Sequence, residues 1–150
     1  VIEGNKVFLS TGYNRGCSLV ELKGGDKVEA LWETENMNNH FSSSLFWNGH
    51  IYGMNDNGKT LACLNAVNGE TVWAQEGFGK GSVALADGKL IILSEKGEMA
   101  IAEASPEAYK ELARAQVLGG KCWTVPVISG HRIYARNAAG DLVCLDVSAG

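Results

Sequence analysis

Short apolar runs recur along this chain at a nearly constant spacing of about forty residues. The clearest set begins at residues 7, 51, 90 and 133 and reads VFLS, IYGM, LIIL and IYAR. A second set follows across a glycine-bearing turn, begins at residues 19, 61, 99 and 142, and reads LVEL, LACL, MAIA and LVCL. Two independent landmarks with one period indicate an internal repeat.

Two further strands complete the repeating unit. One follows the second run and contains Trp32 in the first unit, Trp73 in the second and residues 111–118 in the third. The other precedes the first run, within FSSSLFWN (41–48), KGSVALAD (80–87) and CWTVPVIS (122–129). We label the strands A to D in chain order. Four antiparallel strands in about forty residues predict an all-β fold, a β-propeller of four-stranded blades.

The repeat also sets the expected domain organisation. We predict a single propeller domain or part of one, with a partial blade at 4–33, blades at 41–76 and 81–118, and a partial blade at 122–148. The first unit is expected to lack strand A and the last to lack strand D. A closed ring of four complete blades needs more strands than this. The chain is therefore expected to be a fragment of about four blades, or a half that a homodimer would complete into a larger propeller.

One segment departs from the repeat. SPEAYKELARAQ (105–116) begins with an N-cap serine followed by proline and good helix formers, which by themselves favour a helix. The repeat requires a strand D in the same place. We predict one helical turn at 106–109 and a strand after it.

Composition narrows the function classes. The net charge is −4 with scattered acids and bases, which argues against a nucleic-acid surface because such surfaces need clustered Lys and Arg. No apolar stretch approaches the ~18 residues of a membrane span, and this chain has no signal-peptide pattern. The four cysteines form no CxxC pair. We predict buried thiols rather than a disulfide framework or a metal site. The cysteines are Cys17, Cys63, Cys122 and Cys144.

Two stretches carry a resemblance to a known family. LNAVNGETVW (64–73) resembles the repeat of quinoprotein-like β-propellers, A-L-D-A-x-T-G-x-x-x-W, with small variations at Asn65, Asn68 and Gly69. CWTVPVISGHRIYARNAAGDLVCLDV (122–147) is similar to a later blade of the secreted members in environmental bacteria. The resemblance implies a periplasmic or secreted protein.

The resemblance implies two kinds of function. Some members are dehydrogenases that bind pyrroloquinoline quinone and calcium, whereas others, such as an outer-membrane assembly lipoprotein, carry the repeat without a cofactor and act as binding scaffolds. The dehydrogenases have adjacent cysteines beside the quinone, and no two cysteines are adjacent here. We predict a non-enzymatic binding module without a cofactor. The alternative is part of a quinone- and calcium-dependent dehydrogenase whose catalytic residues lie partly outside this chain.

The candidate ligand-binding residues lie in loops of one face. In propellers, the loops that lead into strand A and those that join strands B and C share a face where ligands bind. Asn38, Asn39 and His40 form a dense polar group there, able to bind a protein, a small molecule or a carbohydrate. They are also typical turn residues, and His40 could tie one blade to the next.

A second candidate group combines charge with an aromatic ring. Lys121 and Trp123 could bind an anionic ligand against a stacking surface, although Trp123 also fits the core between blades. Arg136 is expected to face the same loops, or simply solvent. No catalytic residue and no metal ligand is predicted.

Overall fold

The computed structural model describes residues 2–148, which form fifteen β-strands and no helix. The strands make four antiparallel sheets, each built from strands consecutive in the chain. Sheet 1 contains β1 (Ile2–Glu3), β2 (Lys6–Ser10), β3 (Cys17–Leu22) and β4 (Val28–Thr34). Sheet 2 contains β5 (Leu45–Trp47), β6 (His50–Asn55), β7 (Thr60–Asn65) and β8 (Thr71–Glu76).

The other two sheets continue the pattern. Sheet 3 contains β9 (Ser82–Ala86), β10 (Lys89–Leu93), β11 (Glu98–Glu103) and β12 (Glu111–Gln116). Sheet 4 has three strands within the described residues, β13 (Val127–Ser129), β14 (Arg132–Arg136) and β15 (Leu142–Asp146). The prediction of an all-β chain of four repeated units is confirmed.

Two local predictions were wrong. The first unit has a strand A, because β1 pairs with β2 and Ile2 lies opposite Val7. This strand is only two residues long, so its sequence shows no alternation of apolar and polar residues that could predict it. Residues 106–109 do not form a helical turn; the chain bends at 106 and 107 and is otherwise irregular there. Tyr109 packs against the core between sheets 2 and 3, and the Glu103 amide donates to the Lys110 carbonyl at 3.0 Å. These contacts override the local helix propensity.

One backbone hydrogen bond repeats in all four units. In each unit, a backbone amide at the end of strand C, or one residue beyond it, donates to a backbone carbonyl in the turn between strands A and B, at 2.8–3.0 Å. The bond therefore fixes the same local geometry in every sheet. The bonds run from Leu22 to Asn5, from Ala66 to Gly49, from Ala104 to Gly88 and from Val147 to His131.

The core lies between the sheets, in three clusters. Alternate residues of one strand point to opposite neighbours: Ile51 packs towards sheet 1 with Phe8, and Tyr52 packs towards sheet 3 with Leu90. The third cluster joins sheets 3 and 4 through residues such as Ile91 and Ile133. Burial of these faces against one another is the main force that holds the sheets together.

Tryptophans of strand D connect neighbouring sheets. The Trp32 indole donates to the Ala66 carbonyl at 3.0 Å, and the Trp73 indole donates to the Ser105 carbonyl at 2.9 Å. A Cβ atom at Gly69 would come within 2.7 Å of the Trp32 ring. Glycine is required there because the ring lies directly on the turn.

The third unit lacks this tryptophan. In each of the first three units, the pairing of strands C and D shifts register at the same position of the repeat. The strand D residue next to this shift is Trp32 in unit 1, Trp73 in unit 2 and Ala113 in unit 3. A cavity of about 120 Å³ lies beside Ala113, lined also by Ile133, Leu145 and Val147. The small side chain thus leaves part of the groove between sheets 3 and 4 unfilled.

Replacing Ala113 by tryptophan is expected to raise the free energy of unfolding by about 1 kcal/mol, because the indole fills apolar space that other units fill. Urea unfolding followed by circular dichroism measures the change. Ala139→Trp, at an exposed position in the B–C loop of unit 4, is the matched control, with a change within about 0.5 kcal/mol. A fall in stability at position 113 would contradict this interpretation of the cavity.

The four cysteines, all within the described residues, are free thiols, and three of them are buried. Burial raises the pKa of Cys17 and of Cys63 to about 11 each, so these thiols are poorly reactive at neutral pH. The prediction that all four are buried was wrong for Cys144, which is exposed because no sheet covers its side of sheet 4 within the described residues.

Candidate functional site

The loops that lead into strand A and the loops between strands B and C lie together, and we call this side the loop face. Backbone hydrogen bonds join the two kinds of loop within units 2, 3 and 4, at 2.8–2.9 Å. The loops are therefore held as one surface. The bonds run from the Asp56 amide to the Asn38 carbonyl, from Glu95 to Phe78 and from Ala138 to Lys121.

Four aromatic side chains form a continuous row on the loop face, which we call the aromatic ledge: Tyr13, His40, Phe41 and Trp123. Tyr13 meets the His40 ring edge-on, with 4.8 Å between ring centroids. His40 stacks on Phe41 at 3.9 Å, and Phe41 stacks on Trp123 at 4.3 Å with 15° between the planes. The row joins loops from units 1, 2 and 4. Tyr13 and Phe41 remain 78% and 45% exposed.

A strained turn positions the first member of the ledge. Tyr13 and Asn14 have φ values of 62° and 60°, a conformation that costs energy for an aromatic residue. The Tyr13 hydroxyl lies 3.0 Å from Nε2 of His40 and forms a hydrogen bond with it. This contact and the packing of the two rings offset the strain and fix the direction of Tyr13.

Lys80 brings a positive charge to the middle of the ledge. Its Nζ lies 3.2 Å from Nδ1 of His40, 3.6 Å from Oδ1 of Asp56 and 5.6 Å from the centre of the Phe41 ring. Nδ1 of His40 is also 3.3 Å from Oδ2 of Asp56. Asp56 therefore balances the charge of Lys80, and the tautomer of His40 decides which neighbour its ring nitrogen bonds.

Lys121 and Glu95 both contact Trp123, at the end of the ledge opposite Tyr13. Nζ of Lys121 lies over the Trp123 ring, 4.2 Å from its centre. The Trp123 indole donates to Oε1 of Glu95 at 3.0 Å, and the Lys80 amide donates to Oε2 at 3.3 Å. Partial burial acts to raise the pKa of Glu95, but these hydrogen bonds and the charges of both lysines outweigh it, so the pKa is lowered. Glu95 is charged at neutral pH and fixes the indole.

The structure brings some of the predicted residues together and separates others. His40 and Trp123 belong to the ledge, and Lys121 lies over the Trp123 ring. Asn38 and Asn39 are buried beneath the surface. Asn38 accepts from the Gly16 amide at 2.9 Å. A ligand-binding role for either asparagine stays a prediction, and the ledge does not include them.

The Asn39 side chain is engaged on both sides, donating to the Met54 carbonyl and accepting from the Ser44 hydroxyl, each at 2.9 Å. Arg136 lies at the end of β14, opposite Leu142, on the exposed side of sheet 4 and outside the ledge. Phe41 and Lys80 were not among the residues predicted from the sequence. An apolar residue within the polar segment NMNNHFSSS (36–44) was the available signal for Phe41.

The described residues contain no group of three or more His, Cys, Asp and Glu placed to hold a metal ion. Two carboxylates lie beside the ledge: Asp56 is near the Lys80 ammonium, and Glu95 accepts from the Lys80 backbone amide. The residues present therefore do not form a calcium set. The expectation of no cofactor, and the alternative of pyrroloquinoline quinone with calcium, both stay predictions. The described residues also contain no helix long and apolar enough to cross a membrane.

The sequence model of the family described as "Outer membrane protein assembly factor BamB" matches residues 57–150. The chain belongs to this family. The resemblance to quinoprotein-like propellers is confirmed at the level of this family and its fold. No curated protein matches the chain in sequence.

Solved structures show the same fold. BamB from Moraxella catarrhalis matches 100% of this chain with a TM-score of 0.71 at 13% identity, and the chain spans 44% of that protein. The computationally designed Ika4 protein matches 98% of this chain with a TM-score of 0.74 at 11% identity, over 88% of its own length. The β-propeller prediction is confirmed, and the chain spans less than half the length of that BamB.

Proposed function

We propose that this chain is a non-enzymatic, protein-binding scaffold of the BamB type, which acts in the periplasm in the assembly of outer-membrane proteins and binds partners through the aromatic ledge. Membership of the family supports the scaffold role. The observation that carries the binding surface is the exposed row of stacked rings from Tyr13 to Trp123, with a lysine at each end of the Phe41–Trp123 pair.

The physical properties of the ledge favour a protein segment. Rigid aromatic side chains contribute much contact area at a small entropy cost, and they dominate binding energy in protein interfaces. Phe41 and Tyr13 offer this area, and Lys121, whose Nζ lies over the Trp123 ring, offers positive charge. The ledge thus suits an extended segment that presents an aromatic side chain next to an acidic one.

At the ledge itself, the shape favours a protein over an enclosed small molecule. The cavity between His40, Asp56 and Lys80 measures about 10 Å³, room for about one water molecule. Small-molecule sites are usually concavities of several hundred cubic ångströms. A partner therefore lies across the ledge.

Replacing Phe41 by alanine is expected to weaken peptide binding by about tenfold or more, because the central ring of the ledge is lost. The probes are short fluorescent peptides with an aromatic residue next to Asp or Glu, and matched peptides with alanine in place of the aromatic residue. Fluorescence anisotropy measures the dissociation constants.

Val67→Ala is the control. Val67 is 83% exposed in the turn between β7 and β8, at the opposite end of sheet 2, so binding should not change. Equal affinity of Phe41→Ala and the unmodified chain, or no preference for aromatic peptides, would contradict the proposal. Addition of pyrroloquinoline quinone with Ca²⁺ should give no absorbance change; a change would favour the dehydrogenase alternative.

A further inference from the structure

The first and last sheets each have one side that no other sheet covers within the described residues. On sheet 1, Phe8 and Leu19 face sheet 2, so the alternate residues Val7, Leu9 and Val20 face outwards. Leu9 is 52% exposed. We call this the open side of sheet 1. It is an apolar surface of the kind that packs against another sheet.

The open side of sheet 4 is related to a packed surface elsewhere in the chain. Ile133 and Ala135 face sheet 3, so Tyr134 faces outwards, with Val127 and Cys144 as its cross-strand partners. In sheet 2 the same three positions are Leu45, Tyr52 and Cys63. Tyr52 and Cys63 are fully buried against sheet 3. The open side of sheet 4 thus repeats the surface that sheet 2 presents to sheet 3.

The open side of sheet 1 repeats the other half of that interface. Val7 pairs with Val20, and Val20 pairs with Ala30 beyond the register shift. Leu90 pairs with Ala102 in sheet 3, again next to the register shift. Leu90 and Ala102 are fully buried against sheet 2. Position by position, the two open sides therefore correspond to the two surfaces that pack together between sheets 2 and 3.

One charged side chain at the loop-face end of sheet 4 is opposite in sign to one at the loop-face end of sheet 1. Arg136 lies opposite Leu142 on the neighbouring strand, at the loop-face end of sheet 4. Glu33 is paired with Ser18 at the loop-face end of sheet 1. Packing the two sides as sheets 2 and 3 pack would bring a guanidinium and a carboxylate to the same end of the contact.

We infer that two copies of this chain pack head to tail, with the open side of sheet 4 in each copy against the open side of sheet 1 in the other. The four sheets match 44% of the BamB chain from Moraxella catarrhalis. A head-to-tail contact that closes after two copies leaves neither open side in water. This pairing does not depend on the aromatic ledge.

Light scattering coupled to size exclusion tests the pairing on the full chain. The expected mass is about twice 16.0 kDa at micromolar concentration. Glu33→Arg or Arg136→Glu alone should weaken the dimer about tenfold or more through like-charge contact, and the double variant should restore it. Glu107→Arg, with the same charge change at an exposed bend, should leave the dimer unchanged. A monomer at high concentration, or a double variant no tighter than the single ones, would overturn the inference.

Cys144 provides an independent readout. It is exposed in the single chain, whereas Cys17, Cys63 and Cys122 are buried. One thiol should react rapidly with a thiol reagent in dilute solution, this fast phase should disappear in Cys144→Ser, and it should slow as the protein concentration rises. A doubled mass with undiminished Cys144 reactivity would show that copies meet through another surface and would overturn the pairing of these two sides.

Discussion

Replacing Trp73 by alanine is expected to lower the free energy of unfolding by about 3 kcal/mol. The ring packs between sheets 2 and 3, 5.9 Å from Tyr52 and 6.0 Å from Tyr109 between ring centroids. Its indole also satisfies the Ser105 carbonyl at 2.9 Å. Alanine removes the contact area and leaves a cavity between two sheets. A loss of this size is a large share of the stability of a small domain.

Two variants separate the contributions of Trp73. Trp73→Phe keeps most of the ring and loses the hydrogen bond, so it should cost about 1 kcal/mol. Trp123→Ala removes the same side chain from the surface of the loop face, and it should cost clearly less than Trp73→Ala. Urea unfolding at one fixed protein concentration, followed by circular dichroism, gives all three values. Equal losses at positions 73 and 123 would show that Trp73 has no special role in joining the sheets.

Replacing Gly97 by alanine is expected to lower the free energy of unfolding by about 3 kcal/mol or more. Gly97 lies in the turn between β10 and β11 with φ of 86°, which side chains rarely adopt. A Cβ atom there would come within 2.2 Å of the Leu118 carbonyl oxygen. The Gly97 carbonyl also accepts from the amides of Val117 and Leu118 at 3.0 and 3.1 Å. Relief of the clash would therefore disturb the hydrogen bonds that fix the segment after β12.

Gly140→Ala is the matched control for Gly97→Ala. Gly140 occupies the corresponding B–C turn of unit 4 with φ of 98°, and a Cβ atom there would have no neighbour within 4 Å. Gly140→Ala should therefore lower the free energy of unfolding only by the cost of the backbone conformation, about 1–2 kcal/mol. Thermal unfolding of both variants measures the difference. Equal midpoints would mean that backbone conformation, and not close approach to Leu118, is what requires glycine at position 97.

These expectations concern positions that the repeat itself identifies. Trp73 is the tryptophan of the family motif in LNAVNGETVW, and the structure shows that its role is to join one sheet to the next. Ala113 occupies the same position in the third unit and leaves a cavity. The repeat thus encodes both the strands and the contacts between neighbouring sheets. Where a unit lacks the repeat's tryptophan, as at Ala113, the packing between its sheet and the next is incomplete.

The sequence by itself determined the four repeated units, their strand order and the family. Strand periodicity, turn glycines and the tryptophan motif are local properties of the chain, and each recurs at the same spacing. Local signals were insufficient for β1, which is two residues long. They were misleading at 106–109, where the packing of Tyr109 outweighs helix propensity.

The tertiary structure alone decided the candidate site. Tyr13, Phe41, Lys80 and Trp123 are separated by tens of residues along the chain, and only the folded loops bring them within contact distance. The tertiary structure also decided which thiols are buried. Cys63 and Cys144 have the same place in the repeat, yet Cys63 is covered by sheet 3 and Cys144 has no sheet against it within the described residues. A repeat specifies what each position is suited to contact, and the neighbour that packs there decides whether the contact forms.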